Sequence, residues 1–201
     1  MEVKPGHKMT EVGVIPEDWD TSRIGEVATF SGGSQPPRST FRFTPAPGYI
    51  RLIQIRDYKT DAFTTFVPEV LVRKRCSAED VMIGRYGPPI FQILRGLAGA
   101  YNVALIKVNP ERNKVDKDFL YYTLKTDALY DLIDSLSRRT SGQTGVDMSA
   151  LKAYGLPLPP LPEQRAIATA LSDMDALLDG LDRQIAKKHA IKQATMQQLL
   201  T

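Results

Sequence analysis

Arginine and lysine side chains set beside turn-forming residues are the part of this sequence best suited to chemistry. Arg38 and Arg42 follow the stretch Ser31-Gly32-Gly33-Ser34-Gln35-Pro36-Pro37, Arg51, Arg56 and Lys59 come next, and Arg73 to Arg75, Arg85, Arg95 and the pair Arg138-Arg139 complete the set. Tyr49, Tyr58, Tyr86 and Tyr101 accompany several of them. A loop lysine or arginine pairs with a phosphate whatever the base sequence, and a guanidinium also fits the two acceptors on a guanine edge. An ordinary solvated surface accounts for the same residues, and composition alone favours it.

Residues for covalent or metal chemistry are sparse. The two histidines, His7 and His189, lie near opposite ends of the chain. Cys76 has no histidine beside it, so it reads as a small buried or half-buried side chain and not as a nucleophile. As the only cysteine it excludes an internal disulfide and a cysteine zinc site, which fits a reducing cytoplasm. Neither Gly84-Arg85-Tyr86-Gly87-Pro88-Pro89 nor Gly96-Leu97-Ala98-Gly99 ends in the Gly-Lys-Ser/Thr of a phosphate loop or carries the dinucleotide fingerprint. Asp57-Tyr58-Lys59 has the acid-x-lysine form of a metal-dependent nuclease, but the nearest earlier proline-acid pair, Pro16-Glu17, does not open a core strand. No catalytic residue, metal site or bound cofactor is expected.

The elements that must position these side chains fall into two unlike parts. The 201 residues suffice for one domain with a remainder, and 42% hydrophobic with 24% charged residues excludes wholesale disorder. No apolar run reaches the ~20 residues of a membrane span, and no secretory signal follows the charged Met1 to Lys8, so a soluble chain is expected. The net charge is only +3, yet its placement is uneven: residues 1–160 hold 21 basic and 18 acidic residues, residues 161–201 five of each. Short β-favouring runs are Ala28 to Phe30, Tyr49 to Ile55, Leu71 to Arg73, Val81 to Arg85, Phe91 to Leu94 and Asn102 to Val108. Helical spacing marks Asp18 to Glu26 and Asp116 to Leu136, where Phe119, Leu120, Leu124, Leu129, Leu132, Ile133 and Leu136 recur every three or four residues. Residues 1–155 therefore read as a mixed, β-rich α+β domain without internal repeats.

Residues 156–162, Leu-Pro-Leu-Pro-Pro-Leu-Pro, are extended because each proline removes a donor and biases its predecessor, so a stiff hinge is expected. Residues 163–201 contain one glycine, Gly180, and no proline, which predicts one helix of roughly 55 Å. Ile167, Leu171, Met174, Leu178, Leu181 and Ile185 alternate steps of four and three, the seam of a coiled-coil-type helix; Lys188 and Lys192 interrupt it before Leu199. The alternative is an amphipathic helix folded back on its own domain.

A set of motifs spread along the chain carries a resemblance. Val14-Ile15-Pro16-Glu17-Asp18-Trp19, Ile24-Gly25-Glu26-Val27, Ile50 to Asp57, Asp80 to Gly87, and Leu156 to Arg165 with Ile167-Ala168 resemble, in order, the specificity subunit of type I DNA restriction-modification enzymes. The proline-Glu-Gln junction into a long helix is the most distinctive of them. The resemblance implies a DNA target-recognition domain followed by a conserved spacer helix, with no catalysis of its own. Methyltransferase subunits would bring S-adenosylmethionine, and a restriction subunit the motor and nuclease. A whole subunit of that family has two copies of domain plus helix, the helices antiparallel; this chain has one, which makes it either a natural half-subunit or a fragment of a longer protein. The expectation is a homodimer through the long helix reading a symmetrical split site on double-stranded DNA.

Within that frame the base-reading candidates are Gln35 and Arg38, Gln54, Arg56 and Lys59, Arg85 and Tyr86, and Gln143 in the Thr140 to Gly145 loop, with Arg138 and Arg139 as phosphate clamps. The competing class is a helix-mediated scaffold whose front domain binds protein or RNA.

Overall fold

In the computed structural model, which describes residues 4–139 and 145–199, the chain opens with a hairpin of β1 (His7–Thr10) and β2 (Gly13–Pro16). β3 (Asp20–Arg23), a single helical turn α1 (Ile24–Val27) and β4 (Ala28–Gly32) follow, then β5 (Tyr49–Ile53), β6 (Phe66–Pro68), β7 (Arg75–Cys76), β8 (Met82–Gly84), β9 (Gln92–Leu94), β10 (Gly99–Tyr101) and β11 (Leu105–Pro110). The remainder is α2 (Lys117–Leu124), α3 (Asp127–Arg139), α4 (Met148–Ala153), β12 (Gly155–Leu158) and α5 (Leu161–Leu199). This is a mixed α+β domain followed by one long helix, as the sequence predicts.

Two four-stranded sheets carry the domain. One is antiparallel throughout, in the order β4-β11-β8-β9; the other runs β6-β5-β10-β7, with β5 and β10 parallel and Leu52 opposite Ala100. The main core joins Ile83, Ile106 and Val108 of the first sheet to Phe119, Leu120 and Leu124 of α2, Leu129 and Ile133 of α3, and Leu151 of α4. Ile53, Cys76 and Tyr101 of the second sheet meet Met82 and Leu105 of the first in another buried cluster, so the sheets share apolar contacts. Burial pushes the Cys76 thiol above its ordinary range, with the Asp80 carboxylate adding to the effect.

Four local expectations differ from the structure. The run Asp18 to Glu26 holds β3 and only one helical turn, because Asp20 to Arg23 pair with β12 in a ladder where Ser22 faces Leu156 and Thr21 faces Pro157. The periodic stretch from Asp116 is split at Lys125: its N–H bonds back to Tyr122, tightening the last turn, and α3 restarts behind Thr126, whose carbonyl accepts from Tyr130 N–H. Leu71 to Arg73 are not a strand; Glu69–Leu71 form a short turn, and Val70 is 91% exposed with no sheet to cover it. Residues 156–162 are not a free-standing hinge, since Leu156 is fully buried within β12 and the helix has begun by Leu161. Prolines at the edge of a two-stranded ladder cost it little.

Of α5's 39 residues, only Gln164 and Ala168 are buried. At 1.5 Å per residue the helix is about 58 Å long, and it packs on α2 near its start. Beyond that, Leu171, Met174, Leu177, Leu178, Leu181, Ile185, Ile191, Met196 and Leu199 are all exposed. The helix is not folded back along the domain.

Candidate functional site

The base of α5 is where the proline-Glu-Gln junction lies, and its side chains tie the helix to the domain. Gln164 is fully buried. Its Nε2 donates to the Lys114 carbonyl at 3.1 Å and to the Pro159 carbonyl at 2.8 Å, while its Oε1 accepts from the Asp116 N–H at 2.7 Å. Asp116 in turn caps α2 through the N–H groups of Asp118 and Phe119. A buried amide with every backbone partner in place is what makes an apolar setting tolerable for glutamine. Two turns further on, Tyr122 donates its hydroxyl to Asp175 at 3.0 Å. Beside these contacts lies a groove of about 600 Å³ whose lining includes Trp19, Phe119, Tyr122, Tyr154, Ile167 and Leu171.

This arrangement divides the six seam residues. Ile167 is half-buried and packs against the main core, so it serves the junction; Leu171 lines the groove beside it, whereas Met174, Leu178, Leu181 and Ile185 stand clear of the domain with 46–56% of their surfaces exposed. Leu177, 58% exposed, belongs with them, although its position off the four-three spacing hides it in the sequence.

The basic candidates occupy three loop regions. Gln35 and Arg38 are exposed on the loop after β4, where Gln35 shares a groove of about 360 Å³ with Val70, Leu71 and Arg73. The loop leaves the sheet at Gly33, whose N–H bonds to the Leu105 carbonyl at 3.0 Å; a Cβ at Gly33 would overlap the Asn102 carbonyl. Gln54, Arg56 and Lys59 sit on one short turn after β5, where Asp57 accepts from the Gln54 N–H at 3.0 Å. The Gln54 amide is committed inward, donating to the buried Thr65 hydroxyl at 3.1 Å, so its first role is to hold the turn. Arg56 and Lys59 point outward. Arg85 and Tyr86 follow β8, with the guanidinium 5.4 Å from the ring centroid. Arg138 lines a cavity of about 520 Å³ with Gly87, Pro88 and Pro89 of that same loop, and it pairs with Asp134 at 2.7 Å. Gln143 lies outside the described residues, as does the side chain of Arg139.

Beneath the second region Asp57 is buried, its Oδ1 has no hydrogen-bond partner, and its nearest cations, the Nε atoms of Arg51 and Arg56, are 3.9 Å away. Burial raises its carboxyl above the ordinary value despite the Gln54 N–H and the two arginines. The acid-x-lysine pair is thus a structural acid next to an exposed lysine. Among the described residues no group of three or more His, Cys, Asp or Glu side chains could hold a metal, and no helix is long and apolar enough to cross a membrane.

Exposed basic loops thus lie on a two-sheet domain, and a helix with an exposed apolar seam stands off it. Residues 16–189 match the family described as the type I restriction modification DNA specificity domain, and the chain belongs to that family. It is 27% identical over 194 residues to the type I restriction enzyme MjaVIII specificity subunit of Methanocaldococcus jannaschii, covering 93% of this chain and 43% of the relative. The MjaIX specificity subunit of the same organism is 30% identical over 196 residues, covering 88% and 42%. Among solved structures, the HsdS subunit from Thermoanaerobacter tengcongensis superposes with a TM-score of 0.65 at 22% identity, covering 89% of this chain and 42% of that one. A chain solved in work on complex assembly and conformational transition of the type I R-M system gives a TM-score of 0.67 at 23% identity, covering 88% and 43%. The chain spans less than half the length of each.

Proposed function

We propose that this chain is the DNA-reading component of a type I restriction-modification complex, without catalysis of its own, and that it pairs with a second copy through α5 to read a bipartite target. What supports this reading is the family match over residues 16–189, which takes in both the loop-bearing domain and most of the helix. In this reading Arg38, Lys59, Arg85 and Tyr86 approach base edges, and Arg138 and Arg139 hold phosphates. Methyltransferase subunits dock on the assembly and supply S-adenosylmethionine, and a restriction subunit joins them in the cytoplasm.

The order of charges along α5 supports a pair running in opposite directions. The acids Asp173, Asp175, Asp179 and Asp182 all precede the bases Arg183, Lys187, Lys188 and Lys192. An antiparallel copy lays the acidic half of one helix along the basic half of the other; a parallel, in-register copy lays like on like.

The test combines sedimentation with binding to a pool of random duplexes. Two copies per particle at micromolar concentration, and enrichment of a split symmetrical sequence, are expected. A monomer that enriches no sequence, or enriches single-stranded RNA over duplex DNA, overturns the reading.

A further inference from the structure

The stretch from Arg38 to Phe66 contains five bases, Arg38, Arg42, Arg51, Arg56 and Lys59, against two acids, Asp57 and Asp61, a net +3 that equals the charge of the whole chain. Both acids are occupied: Asp57 is buried, and Asp61 accepts from Arg51 at 2.7 Å. Two phenylalanines of the same stretch face solvent, Phe43 at 73% exposure and Phe63 at 60%. A single exposed apolar residue is ordinary. Here, however, the exposed rings are interleaved with guanidinium groups. Arg56 lies 5.7 Å from the centroid of the Phe63 ring and donates from Nη2 to the Phe63 carbonyl at 3.3 Å. Arg42, next to Phe43, lies 4.9 Å from the Tyr49 ring and exchanges both backbone hydrogen bonds with Phe66, at 2.9 and 2.8 Å. The two phenylalanine-bearing segments are therefore joined side by side at the edge of β6.

A face this positive disfavours a basic partner and suits a polyanion, while an exposed ring needs an apolar feature on that polyanion. In the major groove of duplex DNA that feature is the C5-methyl group of thymine. We infer that Phe63 reads a thymine methyl, with Arg56 making the polar contacts beside it and Phe43 flanking the same groove. This assignment rests on the DNA-reading function proposed above and adds an apolar contact to a set otherwise made of polar side chains. The Arg56 bond to the Phe63 carbonyl fixes the two as one unit, so ring and guanidinium arrive together.

The experiment uses the full chain and the duplex it enriches from a random pool, with each thymine replaced in turn by uracil, which lacks the methyl group. At least one replacement is expected to weaken wild-type binding about fourfold, the worth of one buried methyl. Phe63→Ala is expected to lose sensitivity at that position alone while keeping its melting temperature and its salt dependence. Phe43→Ala, treated identically, reports on the flanking position. If Phe63→Ala binds less tightly but remains equally sensitive to uracil, or if no uracil duplex differs from its thymine parent, the assignment is overturned and DNA reading stands. If no duplex is enriched at all, both fall.

Discussion

The indole Nε1 of Trp19 donates a hydrogen bond of 2.9 Å to Oε2 of Glu163, joining the segment between β2 and β3 to the first turn of α5 across 144 positions of sequence. Both residues are half-buried. With Gln164 beside it, this bond sets where the helix starts and in which direction it leaves.

Replacing Gln164 by alanine strands the Asp116 N–H and the Lys114 and Pro159 carbonyls. A loss of about 3 kcal/mol in urea unfolding is expected, since each buried unpaired group costs roughly 1 to 3 kcal/mol and some will recover water. Glu163→Ala, at a more open position, is expected to cost under about 1 kcal/mol but to shift the fluorescence of Trp19, the chain's single tryptophan.

Asp57 links stability to pH. Folding raises its carboxyl above the ordinary 3.8, so the native chain keeps this proton to a higher pH than the unfolded chain does. Its contribution to stability therefore falls as pH rises through 3.8 toward the raised folded value. Asp57→Asn still offers an acceptor to the Gln54 N–H and has no charge to bury. Urea unfolding is expected to show the variant gaining on wild type between about pH 3 and pH 7; a constant difference would contradict this.

Base contacts and phosphate contacts separate by titration. Arg85→Ala is expected to cost about 1 to 3 kcal/mol on the preferred duplex and to relax preference at one position, whereas Arg138→Ala weakens all duplexes alike and lowers the salt slope by about 1. Gln54→Ala is expected to lower the melting temperature as well, because its amide holds Thr65.

The direction of the proposed helix pair is open to cross-linking, with Cys76 buried and out of reach. In an antiparallel pair that sets these acids against these bases, Met174→Cys chains do not cross-link among themselves but do so when mixed with Ile191→Cys chains, both residues being exposed. A parallel pair gives the reverse. Leu178→Lys with Leu181→Lys is expected to yield monomers by sedimentation with an unchanged domain melting temperature, since neither residue packs on the domain.

The helices with a buried stripe were legible because burial imposes its own period. Leu120, Leu124, Leu129 and Ile133 repeat every four or five positions, with Phe119 beside the first, and all enter the core. The Asp18 to Glu26 segment misleads for the complementary reason: its state depends on a ladder with Leu156 and Pro157, which no local pattern records. Gln164 stood out as part of a motif, yet its work was hidden because all its partners are backbone groups, which leave no trace in side-chain type. Gln54 and Lys59 look equivalent as polar loop residues, and only the position of Thr65 shows that one faces in and the other out. Phe43 and Phe63 carry no signal of their own in the sequence, because an apolar side chain is ordinarily an interior one, yet both face solvent.

Gly33 divides the first basic loop into a portion that cannot change and a portion that can. At the stem the Asn102 carbonyl leaves no room for any side chain, whereas Gln35 and Arg38 at the tip are exposed and no hydrogen bond or ion pair of either side chain was found among the described residues. Substitution at the tip therefore leaves the sheet's packing untouched, whereas any side chain at the stem must push the Asn102 backbone aside and with it the start of β11.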